Sequence, residues 1–146
     1  MLTIEKIKSE FSYVGGYHGT DTFEGHGDFC EIYFRCKGQQ LQQEQIDIYN
    51  QFKKSYKSYL QEIESYISRT LTNSEKRKSG IIQQADLMFD VIEIPLDNNK
   101  YDLVLVCGKS YKSSFFFIRS IDIRVEFKNW SIKTIQRKKD TTEPNE

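Results

Sequence analysis

The sequence has no surplus of charge of either sign: 21 basic residues stand against 21 acidic ones. A nucleic-acid binder draws most of its affinity from phosphate contacts and normally shows a basic excess or stripe. Nucleic acid is therefore not an expected partner. Two local basic clusters, Lys76–Lys78 in EKRKSG and Arg137–Lys139 in QRKKD, read as a solvated loop and a solvated tail. Long apolar runs are missing as well, and nothing approaches the ~18 residues that a membrane-spanning helix needs. The opening MLTIEKIKSEF has no basic start, apolar stretch or small-residue cleavage site of a secretory signal. The expectation is a cytoplasmic protein without membrane contact.

Cysteine is scarce, with three residues, Cys30, Cys36 and Cys107, in no C-x-x-C pair. That excludes a disulfide framework and the commonest zinc motifs. There is no G-x-S-x-G and no G-x-G-x-x-G. VCGKS around Gly108 lacks both the earlier glycine and the following helix of a phosphate loop. No cofactor or metal ion is expected.

What the chain does have is rings: ten Phe and nine Tyr, 14% aromatic with the single Trp. Much of the core must be aromatic, and surplus tyrosines suit a contact surface. At 146 residues the chain suits one domain. That domain is expected over 1–136, with 137–146 a flexible polar tail.

The segment FCEIYFRCK alternates Cys30, Ile32, Phe34 and Cys36 against Glu31, Tyr33, Arg35 and Lys37, the period of a half-buried strand. Residues 11–17 form a shorter strand before it. After Gly38 the period changes to threes and fours through Ile46, Tyr49, Phe52, Tyr56, Leu60, Ile63, Ile67 and Leu71. This predicts one long amphipathic helix over about 42–71. TNSEKRKSGI reads as a polar connection. ADLMFDVIEIPL is apolar on both parities, the pattern of a central strand closed by Pro95. YDLVLVC follows as a strand and GKSYKSS as a loop, then FFFIRSIDIRVEF as one long or two short strands with Ile121, Ile123, Val125 and Phe127 inward, then a turn at KNW and a last short strand SIKTI. Strand runs separated by turns argue an α+β fold. The expected architecture is an antiparallel sheet of about five to six strands with the helix on one face.

YHGTDTFEGHGDFC, residues 17–30, holds both histidines and most of the candidate chemistry. The simplest reading is a polar loop joining two antiparallel strands. The alternative is a small metal- or histidine-dependent hydrolase or nuclease using His18, His26, Asp21 and Asp28 as bases or ligands. Against it stand the H-x7-H spacing, which fits no helical ligand pair, and the lack of a nearby Lys or Arg to clamp a phosphate. Cys30 neighbours His26, but its strand parity turns it inward, away from the exposed electropositive setting of a reactive thiol. The candidate binding surface is aromatic: Tyr33, Tyr111, Trp130 and Phe116. Phe115, Phe116 and Phe117 in a row cannot all face one core, so at least one ring belongs to the second face of the sheet.

Taken in order, a strand pair, then QQEQIDIYNQFKKSYKSYLQEIESYI with Gln45, Tyr49 and Phe52, then strands ending in Val125, Phe127 and Asn129 form a pattern. Over roughly 28–136 it resembles small bacterial domains of unknown function, some of them similar to immunity proteins. It departs from that pattern at Trp130, where glycine is expected and where a two-residue primed turn would be strained. The resemblance implies a non-enzymatic, protein-binding role. The partner would be another protein or a second copy of the chain.

Overall fold

The computed structural model describes residues 1–79, 87–114, 117–138 and 142–144. The chain opens with a short helix, α1 (Ile4–Glu10), whose N-terminus is capped by Thr3 Oγ1 accepting from the Lys6 amide. A hairpin follows: β1 (Ser12–Tyr13) and β2 (Gly16–Asp21), with β2 pairing antiparallel to β3 (Cys30–Arg35). The helical stretch expected over 42–71 runs from α2 (Gln43–Ser55) through a 3₁₀ turn (Tyr56–Tyr59) into α3 (Leu60–Thr70). Then come α4 (Asn73–Ser79), β4 (Met88–Ile94), β5 (Leu103–Ser114), β6 (Phe117–Lys128), β7 (Ser131–Arg137) and β8 (Thr142–Pro144).

The strands form one sheet in the order β1-β2-β3-β4-β5-β6-β7, with β8 pairing to β6. This exceeds the expected five to six strands, because the short β1 and β8 carry too few residues for a periodic signal. The sheet is mostly antiparallel, not wholly so: β3 and β4 run parallel, with Ile32 opposite Ile92 and Phe34 opposite Ile94. The reason lies in the helices between them. A hairpin returns the chain antiparallel, whereas a helix crossing the sheet brings it back to the same end, as parallel pairing requires.

The 3₁₀ turn also departs from the expected continuous helix. Residues three apart eclipse in that geometry. Tyr56 packs on Phe89 at 5.7 Å and Tyr59 on Phe127 at 4.8 Å between ring centroids. TNSEKRKSGI, expected as a connection, instead folds over its first part into α4. Thr72 and Glu75 form a reciprocal capping pair there, each backbone amide donating to the other's side chain at 3.0 and 3.1 Å.

One face of the sheet is covered by the helices. Its inner rows are Tyr17, Cys30, Ile32, Phe34, Ile92, Ile94, Leu103, Leu105, Cys107, Ile121, Ile123, Val125 and Phe127, all buried. Against them pack Ile46, Tyr49, Phe52, Tyr56, Leu60, Ile63 and Ile67, the stripe that the sequence marks. The double parity of β4 has a specific cause. The register slips between Phe89 and Val91, so Leu87 and Phe89 face inward before the slip and Ile92 and Ile94 after it. Gly108 sits within β5, where a Cβ would collide with the backbone carbonyl of Ile121 on β6. VCGKS is thus strand, and the loop expected over GKSYKSS is instead the continuation of β5 to Ser114.

Candidate functional site

The segment 17–30 is not a single loop. Its first part is β2, and only 22–29 connects to β3. In β2, Tyr17 is paired with Phe34 and His18 with Tyr33, so successive side chains alternate between the sheet's two faces. His18 lies on the outer face. Its ring stacks on Tyr33 at 4.2 Å and 13°, with Nδ1 3.0 Å from Glu31 Oε1 and Nε2 3.1 Å from the Val14 carbonyl.

His26 takes the opposite side. The 22–29 connection folds inward as a wedge, using positive φ at Gly25 and Gly27 (82° and 113°). Phe23, 1% exposed, enters beneath Phe52 and Tyr56. His26, 5% exposed, lies against Phe89 at 4.7 Å, and its Nδ1 donates to the Leu87 carbonyl at 2.9 Å. The Phe89 amide in turn donates to the His26 carbonyl at 2.7 Å, so the wedge extends the pairing of β4.

Asp21 is the third member. It ends β2 on the inner side, where the Tyr49 hydroxyl donates to Oδ2, the Thr22 amide donates to Oδ1 at 2.8 Å, and Lys53 Nζ stands 3.3 Å away. Burial pushes its carboxyl up, but the Tyr49 and Thr22 hydrogen bonds and the Lys53 charge outweigh that and hold it below its usual value. Burial, then the bond to Asp21, pushes the Tyr49 hydroxyl well above the ordinary tyrosine range. This cluster borders a cavity of about 240 Å³ that is also lined by Leu2, Lys6 and Glu10 from the start of the chain. Lys53 also lies 3.9 Å from the centroid of Phe23. Asp28 is exposed, and its backbone carbonyl accepts from Thr22 Oγ1 at 3.2 Å.

The fold therefore divides the four candidates. His18 and His26 stand on opposite faces of the sheet, Asp21 is held by helix α2, and Asp28 rides on the connection. Among the described residues no three His, Cys, Asp or Glu side chains are grouped as a metal ion would require. Nor is any described helix long and apolar enough to cross a membrane. Cys30 and Cys107 are fully buried, and burial pushes each thiol up to about 12.

The aromatic candidates separate too. Tyr33 is on the outer face, with the Arg35 guanidinium 5.4 Å from its centroid. Tyr111 lies in β5, where its backbone alone is described, and Phe116 falls outside the described residues. Trp130 is the most informative. β6 and β7 pair Lys128 with Ser131, leaving Asn129 and Trp130 as a two-residue turn with φ of 52° and 60°. Both angles are positive, as primed hairpin turns require. The turn is held from outside: the Asn129 amide donates to Asp102 Oδ2 at 2.7 Å and the Tyr59 hydroxyl donates to the Trp130 carbonyl at 2.9 Å.

Two features go beyond the sequence reading, which names Gln45 only as part of a helix-opening pattern. Gln45, 2% exposed, donates to the carbonyls of Arg35 and Pro95 at 2.7 and 3.0 Å and accepts from the Gln42 amide at 3.0 Å. It ties the ends of β3 and β4 to the start of α2. Phe29 stands 83% exposed beside β3. It shares the outward parity of Glu31 and Tyr33 although it is a large apolar residue. No family model matches this chain, and no curated protein or solved structure matches it either.

Proposed function

We propose that this chain is a non-enzymatic protein-interaction domain of immunity-protein type, which engages a protein partner through the β6–β7 turn. The observation that supports this is Trp130. A bulky residue in the left-handed region costs roughly 1–2 kcal/mol relative to glycine, which occupies it freely. The ring stays 42% exposed, so it is not there to fill the core. Strain held by surrounding contacts at an exposed aromatic residue is characteristic of binding sites. Trp is also the residue type most enriched among the side chains that dominate interface energy.

The geometry of the candidate acid–base groups points the same way. Each histidine is engaged with this chain's own oxygens and rings, and the two face different surroundings.

Trp130 is the only tryptophan, so its emission reports on this surface directly. Protein recovered on the immobilised chain from its source cells should shift that emission to the blue on binding. The same partner should be lost from Trp130→Gly by about tenfold or more and retained by His18→Ala. Equal retention by all three proteins would refute the assignment.

A further inference from the structure

We propose that the open edge of β2 accepts an extended basic segment of another protein by strand addition. β1 has two residues and β2 has six, so β1 shields only the start of its neighbour, opposite Tyr17 and His18. The Gly16 carbonyl accepts from Val14 on the β1 side. Main-chain groups alternate direction along an antiparallel strand, so those of His18 and Thr20 face that side too. His18 meets Ser12, but the position that would oppose Thr20 belongs to Glu10, which is helical. The Thr20 amide and carbonyl therefore look past the end of β1 into a groove of about 630 Å³. An unpaired strand edge is a template for another chain.

The lining of the groove selects the occupant. It is formed by Glu10, Phe11, Ser12, His18, Thr20 and Glu31 with Gly19 and Phe29, and contains no Lys or Arg. Glu10 and Glu31 are exposed, and Phe29 offers a nearly free ring at the rim. Alternate side chains of an added strand point to opposite faces, and Glu31 and Phe29 line the same groove, so a segment whose groove-facing positions carry both cationic and apolar residues meets carboxylate and ring. A second copy of this chain joined edge to edge about a two-fold axis would set Glu10 and Glu31 against their own equivalents, a like-charge juxtaposition that disfavours it. A thin, unfolded segment also fits where the end of α1 restricts the approach of a folded edge.

The test uses the full chain and a fluorescein-labelled decapeptide in which lysine and valine take turns at every second position with threonine between them, read by anisotropy, with amide exchange at Thr20 measured in the same complex. Saturable binding is expected, together with slowed exchange at Thr20. Replacing two central valines by proline should weaken binding about tenfold, since proline cannot complete the ladder. Glu10→Gln with Glu31→Gln should weaken it about tenfold and Phe29→Ala about fivefold, while Glu62→Gln on α3 leaves it unchanged. Three results would overturn the proposal: equal binding of the proline peptide, unprotected Thr20 in the complex, or no saturable binding. Self-association in sedimentation that slows exchange at the Thr20 amide would also overturn it, by making a second copy the occupant.

Discussion

The imidazole of His26 lies nearly parallel to the ring of Phe89, 18° between planes, and its Nδ1 proton is spent on the carbonyl of Leu87. A residue that reads as a catalytic candidate in the sequence is a core residue in the fold. Removing it leaves a cavity and an unpartnered buried carbonyl, each costly. His26→Ala should lower the unfolding free energy by about 2–4 kcal/mol in urea titration. His18→Ala, on the partly exposed outer face, should cost less than about 1 kcal/mol. Equal effects would show that the two rings do not occupy such different surroundings.

Gln45 carries a second expectation. Its side chain satisfies the Gln42 amide and two carbonyls from different strand ends. Gln45→Leu keeps the bulk and removes every partner, so the cost is that of orphaned buried groups, about 2–3 kcal/mol. A loss under about 0.5 kcal/mol in the same titration would mean that water replaces the side chain there.

The pairing of Glu75 on α4 with Arg137 on β7 sets an acid dependence. The Arg137 hydrogen bond draws the Glu75 carboxyl down from its ordinary 4.5 to about 2. A carboxyl depressed in the folded state stabilises it fully above its unfolded value and ceases to do so as pH falls through the folded one. Glu75→Gln should therefore be less stable than the wild type near neutral pH. The gap should close between about pH 4.5 and pH 2. A gap constant across that window would place the effect in packing rather than charge.

Particular residues show what was readable in the sequence. The alternation of Ile121, Ile123, Val125 and Phe127 and the stripe from Ile46 to Ile67 appear in the fold as their periods require. The slip between Phe89 and Val91 was visible only as double parity, because an added residue changes which face follows without leaving its own signature. The direction of β4 relative to β3 was hidden, since it depends on where the helices deliver the chain. α4 was legible in Thr72-x-x-Glu75, a capping pattern overshadowed by the basic run after it. The separation of His18 from His26 was not legible: one sits on a strand by parity, while the other is carried inward by a glycine-flanked wedge.

Trp130 was flagged in the sequence as standing where glycine belongs, and its φ of 60° in the fold makes that departure physical. Trp130→Ala and Trp130→Gly both delete the ring but differ in how freely they adopt the turn. The glycine variant should be the more stable by about 1 kcal/mol.

The most direct measurement compares Trp130→Gly with the wild type in unfolding free energy and partner retention together. With strain relieved as half-exposed ring contacts are lost, stability should stay within about 1 kcal/mol of the wild type, while retention falls about tenfold. A loss of 3 kcal/mol or more, the range of a core Trp truncation, with retention unchanged would contradict the account and make Trp130 part of the fold alone.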